Sequence, residues 1–307
     1  MTDISYSNID IDIDIDIESI KANLYDNGYV VIPDVFNQNE IDEYIDEFNL
    51  WLTRVKDLES LHEKIDFHGI FKHHEVGHQR FAWLARTNPK IIQIFKQLWD
   101  TDELVTSFDG CCYYSYDHYE EPRYWTHTDQ SQTKIGRHCL QSFLSLTDNY
   151  ERTLIVYRGS HKLHKEYFKE YNIENVSDWN IIKEEYIEHL EDTKEYLEIK
   201  KGSLVIWDSR SFHQNTCGMP SCCEERLVQY LCYLPKYHEL NDDEMQKKRR
   251  RYFNTRRTTN HWPYPMNAIP RQPNTYNYYF NDNIEIDYNE LPVPILDDLM
   301  EKIENLL

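Results

Sequence analysis

The tripeptide His127-Thr128-Asp129 and a distant His213, which closes the run Val205-Ile206-Trp207-Asp208-Ser209-Arg210-Ser211-Phe212-His213, bring together two imidazoles and one carboxylate. That donor set suits a non-haem Fe(II) ion. Alternate residues of a strand share a face, so His127 and Asp129 would point together while Thr128 turns away. Ligands confined to one face of the metal leave its other positions open for a cosubstrate and dioxygen. A His-x-Asp tripeptide alone is usually ordinary surface. The residues around the second histidine give it weight.

After His213 come Gln214-Asn215-Thr216-Cys217-Gly218 and then Arg226-Leu227-Val228-Gln229-Tyr230-Leu231-Cys232-Tyr233, a run that reads as a buried strand with an arginine at its start. A guanidinium is a planar fork of donors matched to a carboxylate, which lysine cannot reproduce. Arg226 could clamp the distal carboxylate of 2-oxoglutarate while the keto-acid end chelates iron; a structural ion pair is its ordinary alternative. Gln141, on a strand after the first ligands, could face the same cavity. Asp208 could hydrogen-bond a neighbouring turn or an iron-binding histidine. Tyr113, Tyr114, Tyr116, Tyr124 and Trp125 read as an aromatic wall on the substrate's way in, with the core as their other home. His161 follows a turn and reads as fixing its loop. His73, His74, His78, His138 and His164 lack any matching spacing.

Five segments, taken as a set, resemble the phytanoyl-CoA dioxygenase family of Fe(II)/2-oxoglutarate oxygenases. They are Asn27-Gly28-Tyr29-Val30-Val31-Ile32-Pro33-Asp34-Val35-Phe36, His127-Thr128-Asp129, Leu154-Ile155-Val156-Tyr157-Arg158-Gly159-Ser160-His161, Lys201-Gly202-Ser203-Leu204-Val205-Ile206-Trp207-Asp208, and His213 through Arg226. They stand in the family's order and span roughly residues 20 to 235. Two positions depart from it: Glu151-Arg152-Thr153 replaces a Gly-rich turn, and Arg158 replaces a proline. The resemblance implies that His127, Asp129 and His213 bind Fe(II), that 2-oxoglutarate chelates it through C1 and C2, and that Arg226 holds C5. Asn215 matches a position that often meets the cosubstrate through a polar side chain. The implied reaction consumes O2, releases succinate and CO2, and hydroxylates an unactivated C–H bond of a small-molecule substrate. Halogenases of this type lack the carboxylate, so Asp129 favours hydroxylation. Two alternatives stay open: a non-catalytic jelly-roll binding protein, and an iron cupin-type enzyme that does not use 2-oxoglutarate. Arg226 separates the latter from the main reading.

The elements that must position these residues follow from periodicity. Ile20, Leu24 and Tyr25 predict a helix ended by Asn27-Gly28, then a strand over Tyr29 to Ile32. Asn39 is expected to cap a second helix carrying Ile41, Tyr44, Ile45, Phe48, Leu52 and Val55, and a third helix is expected over Pro89 to Trp99. Strands are expected over Leu104 to Phe108, Cys111 to Tyr116, Leu140 to Leu146, Thr153 to Tyr157, Leu197 to Lys200, Ser203 to Trp207 and Leu227 to Leu234. Together they predict a mainly β fold with flanking helices (α+β), a double-stranded β-helix or jelly-roll core buttressed by N-terminal helices. Residues 1–18 are expected as an acidic tail, alternating Ile and Asp from Ile9 to Ile17. Residues 19–240 would form the oxygenase domain with a helical insertion near 166–195, and residues 241–307 an extension wrapping it. The stretch from His261 to Pro273 is expected to be extended, and Ile295 to Leu307 a short amphipathic helix.

Composition bounds the rest. A formal net charge of −21 argues against general binding to nucleic acid or anionic membrane, and against a strongly anionic substrate unless a local basic patch overrides the field. The run Lys247-Lys248-Arg249-Arg250-Arg251 with Arg256-Arg257 reads as a solvated helix face pairing with acidic surface rather than a phosphate or nucleic-acid patch. No long apolar run and no secretory leader stand out, so a cytoplasmic protein is expected. Seven cysteines, with Cys111-Cys112 and Cys222-Cys223 adjacent, read as reduced thiols, and Cys217, Cys222 and Cys223 match no closed zinc site.

Overall fold

The structure, a computed structural model, describes residues 16–273 and 284–307. Most of the Ile/Asp alternation lies outside the described residues; its last member, Ile17, opens helix α1 (Ile17–Asp26), capped by the Asp16 carboxylate. Gly28 ends that helix at φ +84°, where an added Cβ would collide with the His161 ring. Strand β1 (Tyr29–Ile32) follows, then α2 (Gln38–Arg54). The cap of α2 is Asn37, not Asn39. Only from Asn37 does Glu40 fall at the third helical position, and the two exchange hydrogen bonds of 3.1 and 2.8 Å. Next come α3 (Leu58–Ile65), β2 (Ile70–Phe71), α4 (Arg80–Arg86) and α5 (Pro89–Trp99). The chain continues through β3 (Leu104–Thr106), β4 (Cys111–Tyr114), β5 (His127–Thr128), β6 (Leu140–Ser145) and β7 (Leu154–Tyr157). After α6 (His164–Glu170), β8 (Asn180–Ile181), α7 (Glu184–Ile187) and β9 (Lys194–Tyr196) come β10 (Leu204–Asp208), β11 (His213–Asn215) and β12 (Arg226–Pro235). Helices α8 (Asp243–Asn254) and α9 (Met300–Glu304) complete the order.

All pairings are antiparallel and make two sheets. The larger runs β1-β10-β6-β12-β4-β2, with β3 also on β12; the smaller runs β8-β5-β11-β7-β9. This is the expected helix-buttressed double-sheet architecture. Period-two alternation decides what each face of the larger sheet meets. Leu204, Ile206, Leu140, Leu144, Leu227 and Leu231 pack with Tyr44, Phe48, Ile91 and Phe95 of the N-terminal helices. The intervening Val205, Trp207, Phe143 and Val228 pack with Leu154 and Val156 of the smaller sheet. Gln141 and Arg226 share the parity of Phe143 and Val228, so the strand period turns both inward.

Three expectations are corrected. The strand expected at Leu197 to Lys200 lies at Lys194–Tyr196; Leu197 and Ile199 alternate inward, but only Ile199 bridges, to Asn149. The insertion near 166–195 is only partly helical, because it supplies β8 and β9 as the edges of the smaller sheet. The C-terminal helix is confined to Met300–Glu304. No described helix is long and apolar enough to cross a membrane. All seven cysteines are free, and only Cys223 is exposed.

Several core histidines are neutral. His62 stacks on Phe71 at 3.5 Å and donates its Nε2–H to the Tyr113 carbonyl; burial pushes its pKa down from 6.5 to about 4. Burial likewise takes His74 and His78 to about 3. The unfolded rings protonate first, so stability should fall as pH drops below about 6.5, until the folded rings also protonate at about 4 and 3. Each contributes at most about 1.4 kcal/mol per pH unit in that window. Urea midpoints at about pH 7.5 and pH 5 should differ clearly; equal midpoints would contradict the neutral assignment.

Candidate active site

His127 and His213 lie directly opposite one another across the β5–β11 pairing. Their rings stand 4.4 Å apart, centroid to centroid. The Nδ1–H of His127 donates to the Trp125 carbonyl at 3.0 Å, and that of His213 to the Ser211 carbonyl at 2.9 Å. A carbonyl only accepts, so both protons are fixed on Nδ1 and both Nε2 atoms are turned toward Asp129. The Asp129 Oδ2 lies 3.4 Å from His127 Nε2 and 3.3 Å from His213 Nε2. Among the described residues this is the one cluster of three or more His, Cys or carboxylate groups converging within 4.8 Å.

Asp129 does not belong to β5, which ends at Thr128, so strand parity alone does not aim it. Its backbone N–H donates to the Ser209 carbonyl at 2.9 Å, and the Thr128 hydroxyl donates to the same carbonyl at 3.0 Å. Gln141 Nε2 donates to Asp129 Oδ2 at 3.0 Å and so orients the carboxylate. Burial raises the pKa of Asp129, but the two adjacent imidazoles, His127 first, outweigh it and hold the carboxyl well below its ordinary range. Burial, and then His127, lower the pKa of His213.

A cavity of about 290 Å³ extends from these groups between the sheets, and its lining includes Gln141, Asn215 and Arg226. Arg226 is fully buried, with no carboxylate in ion-pair reach among the described residues. Nη1 donates to the Arg152 carbonyl at 2.8 Å, while Nε and Nη2 are enclosed without a partner. The structural ion pair that would have explained it is absent among the described residues. Two unanswered donors on a buried cation are costly unless a ligand accepts from them. Asn215 donates to the His68 carbonyl at 2.9 Å, and its Oδ1 is also enclosed and unpartnered. A dicarboxylate fits this donor set, one end at the His/Asp cluster and the other at Arg226.

Other expected residues fall elsewhere. Trp125 lines the cavity, stacked between His68 (3.8 Å) and His127 (4.8 Å). The other four members of the expected aromatic wall do not: Tyr113 and Tyr114 are core, Tyr116 is exposed, and Tyr124 donates to the Ile182 carbonyl. Asp208 serves its own turn, pairing with Arg210 at 2.7 Å, and touches no site histidine. His161 fixes its loop by donating to the Tyr25 carbonyl at 3.0 Å. The departure at Arg152 has a clear purpose, since its buried guanidinium donates to the carbonyls of Cys217, Ser115, His118 and Cys222.

Sequence reasoning missed His68, Asp109, Trp179 and the segment Thr258-Thr259-Asn260-His261, all of which line the cavity. Burial pushes the Asp109 carboxyl up to about 7, with Arg86 opposing. The segment is docked by hydrogen bonds from the Phe108 N–H to the Thr259 hydroxyl (3.0 Å) and from Gly77 to Thr258 (3.3 Å). In the basic run, Arg249 is buried and bonded to Asn241 and to the carbonyls of Pro263 and Leu307, while Arg250 pairs with Glu304.

A relative, Ava biosynthesis cluster protein O of Aspergillus versicolor, is 28% identical over 238 residues, spanning 68% of this chain and 75% of that protein. The solved structure of the epimerase SnoN in complex with Fe3+, alpha ketoglutarate and nogalamycin RO superposes with a TM-score of 0.51 at 19% identity, covering 71% of this chain and 83% of SnoN. EctD from S. alaskensis with 2-oxoglutarate and 5-hydroxyectoine gives a TM-score of 0.51 at 17% identity, covering 75% of this chain and 79% of EctD. Likeness at these identities is one of fold. Residues 24–216, more than half of the chain and including His127, Asp129 and His213, match the family described as Phytanoyl-CoA dioxygenase (PhyH), and the chain belongs to that family.

Proposed function

We propose that the protein is an Fe(II)/2-oxoglutarate-dependent dioxygenase that hydroxylates an unactivated C–H bond of a small-molecule substrate. The observation that carries the reading is the buried Arg226 guanidinium, with two unanswered donors, in the cavity that also holds three converging metal-type ligands. His127, Asp129 and His213 hold the metal, and Arg226 takes the distal carboxylate of the cosubstrate. With dioxygen, iron and 2-oxoglutarate supply an oxidant that attacks unactivated C–H bonds, releasing succinate and CO2.

The chain's own groups do the positioning. The Trp125 and Ser211 carbonyls keep the Nδ1 protons in place, so each imidazole presents an Nε2 lone pair. Gln141 steadies Asp129. Asn215 is placed to meet the cosubstrate through its free Oδ1. Trp125, Trp179 and the 258–261 segment wall the cavity.

Anaerobic titration with Fe(II) and 2-oxoglutarate, following the weak visible charge-transfer band, tests the reading. A band that needs both additions supports it. Iron binding without the band would point to an iron enzyme that does not use 2-oxoglutarate, and no iron binding would leave a binding protein. Gln141→Leu removes the donor to Asp129 and should weaken Fe(II) binding by about 10- to 100-fold. Competition against a chromogenic iron chelator measures this, and an unchanged affinity would deny Gln141 its orienting role.

A further inference from the structure

We propose that a second groove, beside the turn that follows Asp129, binds a phosphate-bearing small molecule. The protein's net charge is −21, yet this groove of about 560 Å³ is lined by Lys134, Lys162, Lys165, Lys169 and Arg210 against a single carboxylate, Glu174. A cleft lined by one sign of charge concentrates the field and recruits the opposite sign. Lys162, Lys165 and Lys169 recur at spacings of three and four on α6 and the turn before it, with Glu166 and Glu170 on the same helix but outside the groove's lining. Lys165 and Lys169 are exposed and have no carboxylate in ion-pair reach among the described residues; Lys162 has Asp26 at 3.8 Å.

Lys134 and Arg210, by contrast, are held in place by Asp178 (2.6 Å) and Asp208 (2.7 Å). The cluster therefore combines anchored cations with unanswered ones. Ammonium groups on flexible stems act as point charges and suit the tetrahedral array of phosphate oxygens. Ile135, Phe168 and Ile173 also line the groove, so it offers apolar contact as well as charge. That combination fits an organic phosphate better than a bare ion. The groove adjoins the wall of the active cavity: Lys134 Nζ sits 3.8 Å over the Trp262 ring, and its partner Asp178 precedes Trp179, which lines that cavity. The assignment does not depend on the iron chemistry.

Isothermal titration of the full chain with inorganic pyrophosphate, ATP and citrate tests it, with saturating 2-oxoglutarate present to occupy Arg226. Pyrophosphate and ATP should both bind, ATP more tightly through the apolar contacts, and both should weaken as salt is raised. The double substitution Lys165→Glu/Lys169→Glu lies on exposed positions and should leave melting unchanged while lowering both affinities at least tenfold. No binding of either phosphate compound at millimolar concentration, or equal affinity in the double variant, would overturn the proposal. Citrate binding as tightly as pyrophosphate would also overturn it, by showing attraction for any anion.

Discussion

Arg226→Ala is expected to lower the apparent affinity for 2-oxoglutarate by about two to three orders of magnitude, the range for removing one partner of a buried charge pair. The loss should be this large because the side chain is fully buried and its Nε and Nη2 have no protein acceptor. Removing it leaves the distal end of a dicarboxylate in the cavity between the sheets without its counter-charge. Iron binding should survive, since Arg226 is not among the three converging ligands. The charge-transfer band should therefore vanish at cosubstrate concentrations that saturate the parent protein, while iron affinity stays the same. Arg226→Lys should recover little, because an ammonium cannot span a carboxylate with two parallel donors. Undiminished 2-oxoglutarate binding in Arg226→Ala would remove the cosubstrate assignment.

Asp129→Ala should cost more than any other single change at the site, because both Nε2 atoms converge on that carboxylate. Fe(II) affinity should fall by at least about 100-fold, larger than the loss expected on removing a supporting partner such as Gln141. A ligand that binds only the folded state raises stability according to its concentration over Kd, by about 2.7 kcal/mol at 100 times Kd. Anaerobic Fe(II) at about 100 times the parent's Kd should accordingly raise the melting temperature of the parent protein clearly and that of Asp129→Ala far less. A full iron-dependent shift in the variant would mean that the metal sits elsewhere.

What was readable in the sequence was what periodicity and local chemistry encode. The helix over Pro89–Trp99 has an apolar stripe and a capping Asn88, and its ends match the expectation. The capping box of α2 was present as Asn37-x-x-Glu40, but a second asparagine two residues on drew the assignment away. The grouping of His127, Asp129 and His213, which the structure brings together, was legible because residue types and order form a pattern, although Asp129 is aimed by the Ser209 carbonyl and Gln141 and not by strand parity. His68, Trp179 and His261 were not readable. They reach the cavity through contacts between distant segments, and nothing in their own neighbourhoods distinguishes them from core or surface. The same holds for Lys194–Tyr196, whose pairing is set by β7 while the apolar alternation that suggests a strand begins only at Leu197.

The docking of residues 258–261 onto the Phe108 loop has a corollary for selectivity. The metal-type ligands belong to the smaller sheet and its adjoining turn, the arginine to the larger sheet, and this wall to a segment beyond the family match, which ends at residue 216. The three contributions lie on separate stretches of chain. Exchanging Thr258, Thr259 and Asn260 should then redirect which compounds are accepted, whereas His261, whose charge bears on Asp129 and His213, ties the wall to the cluster it encloses.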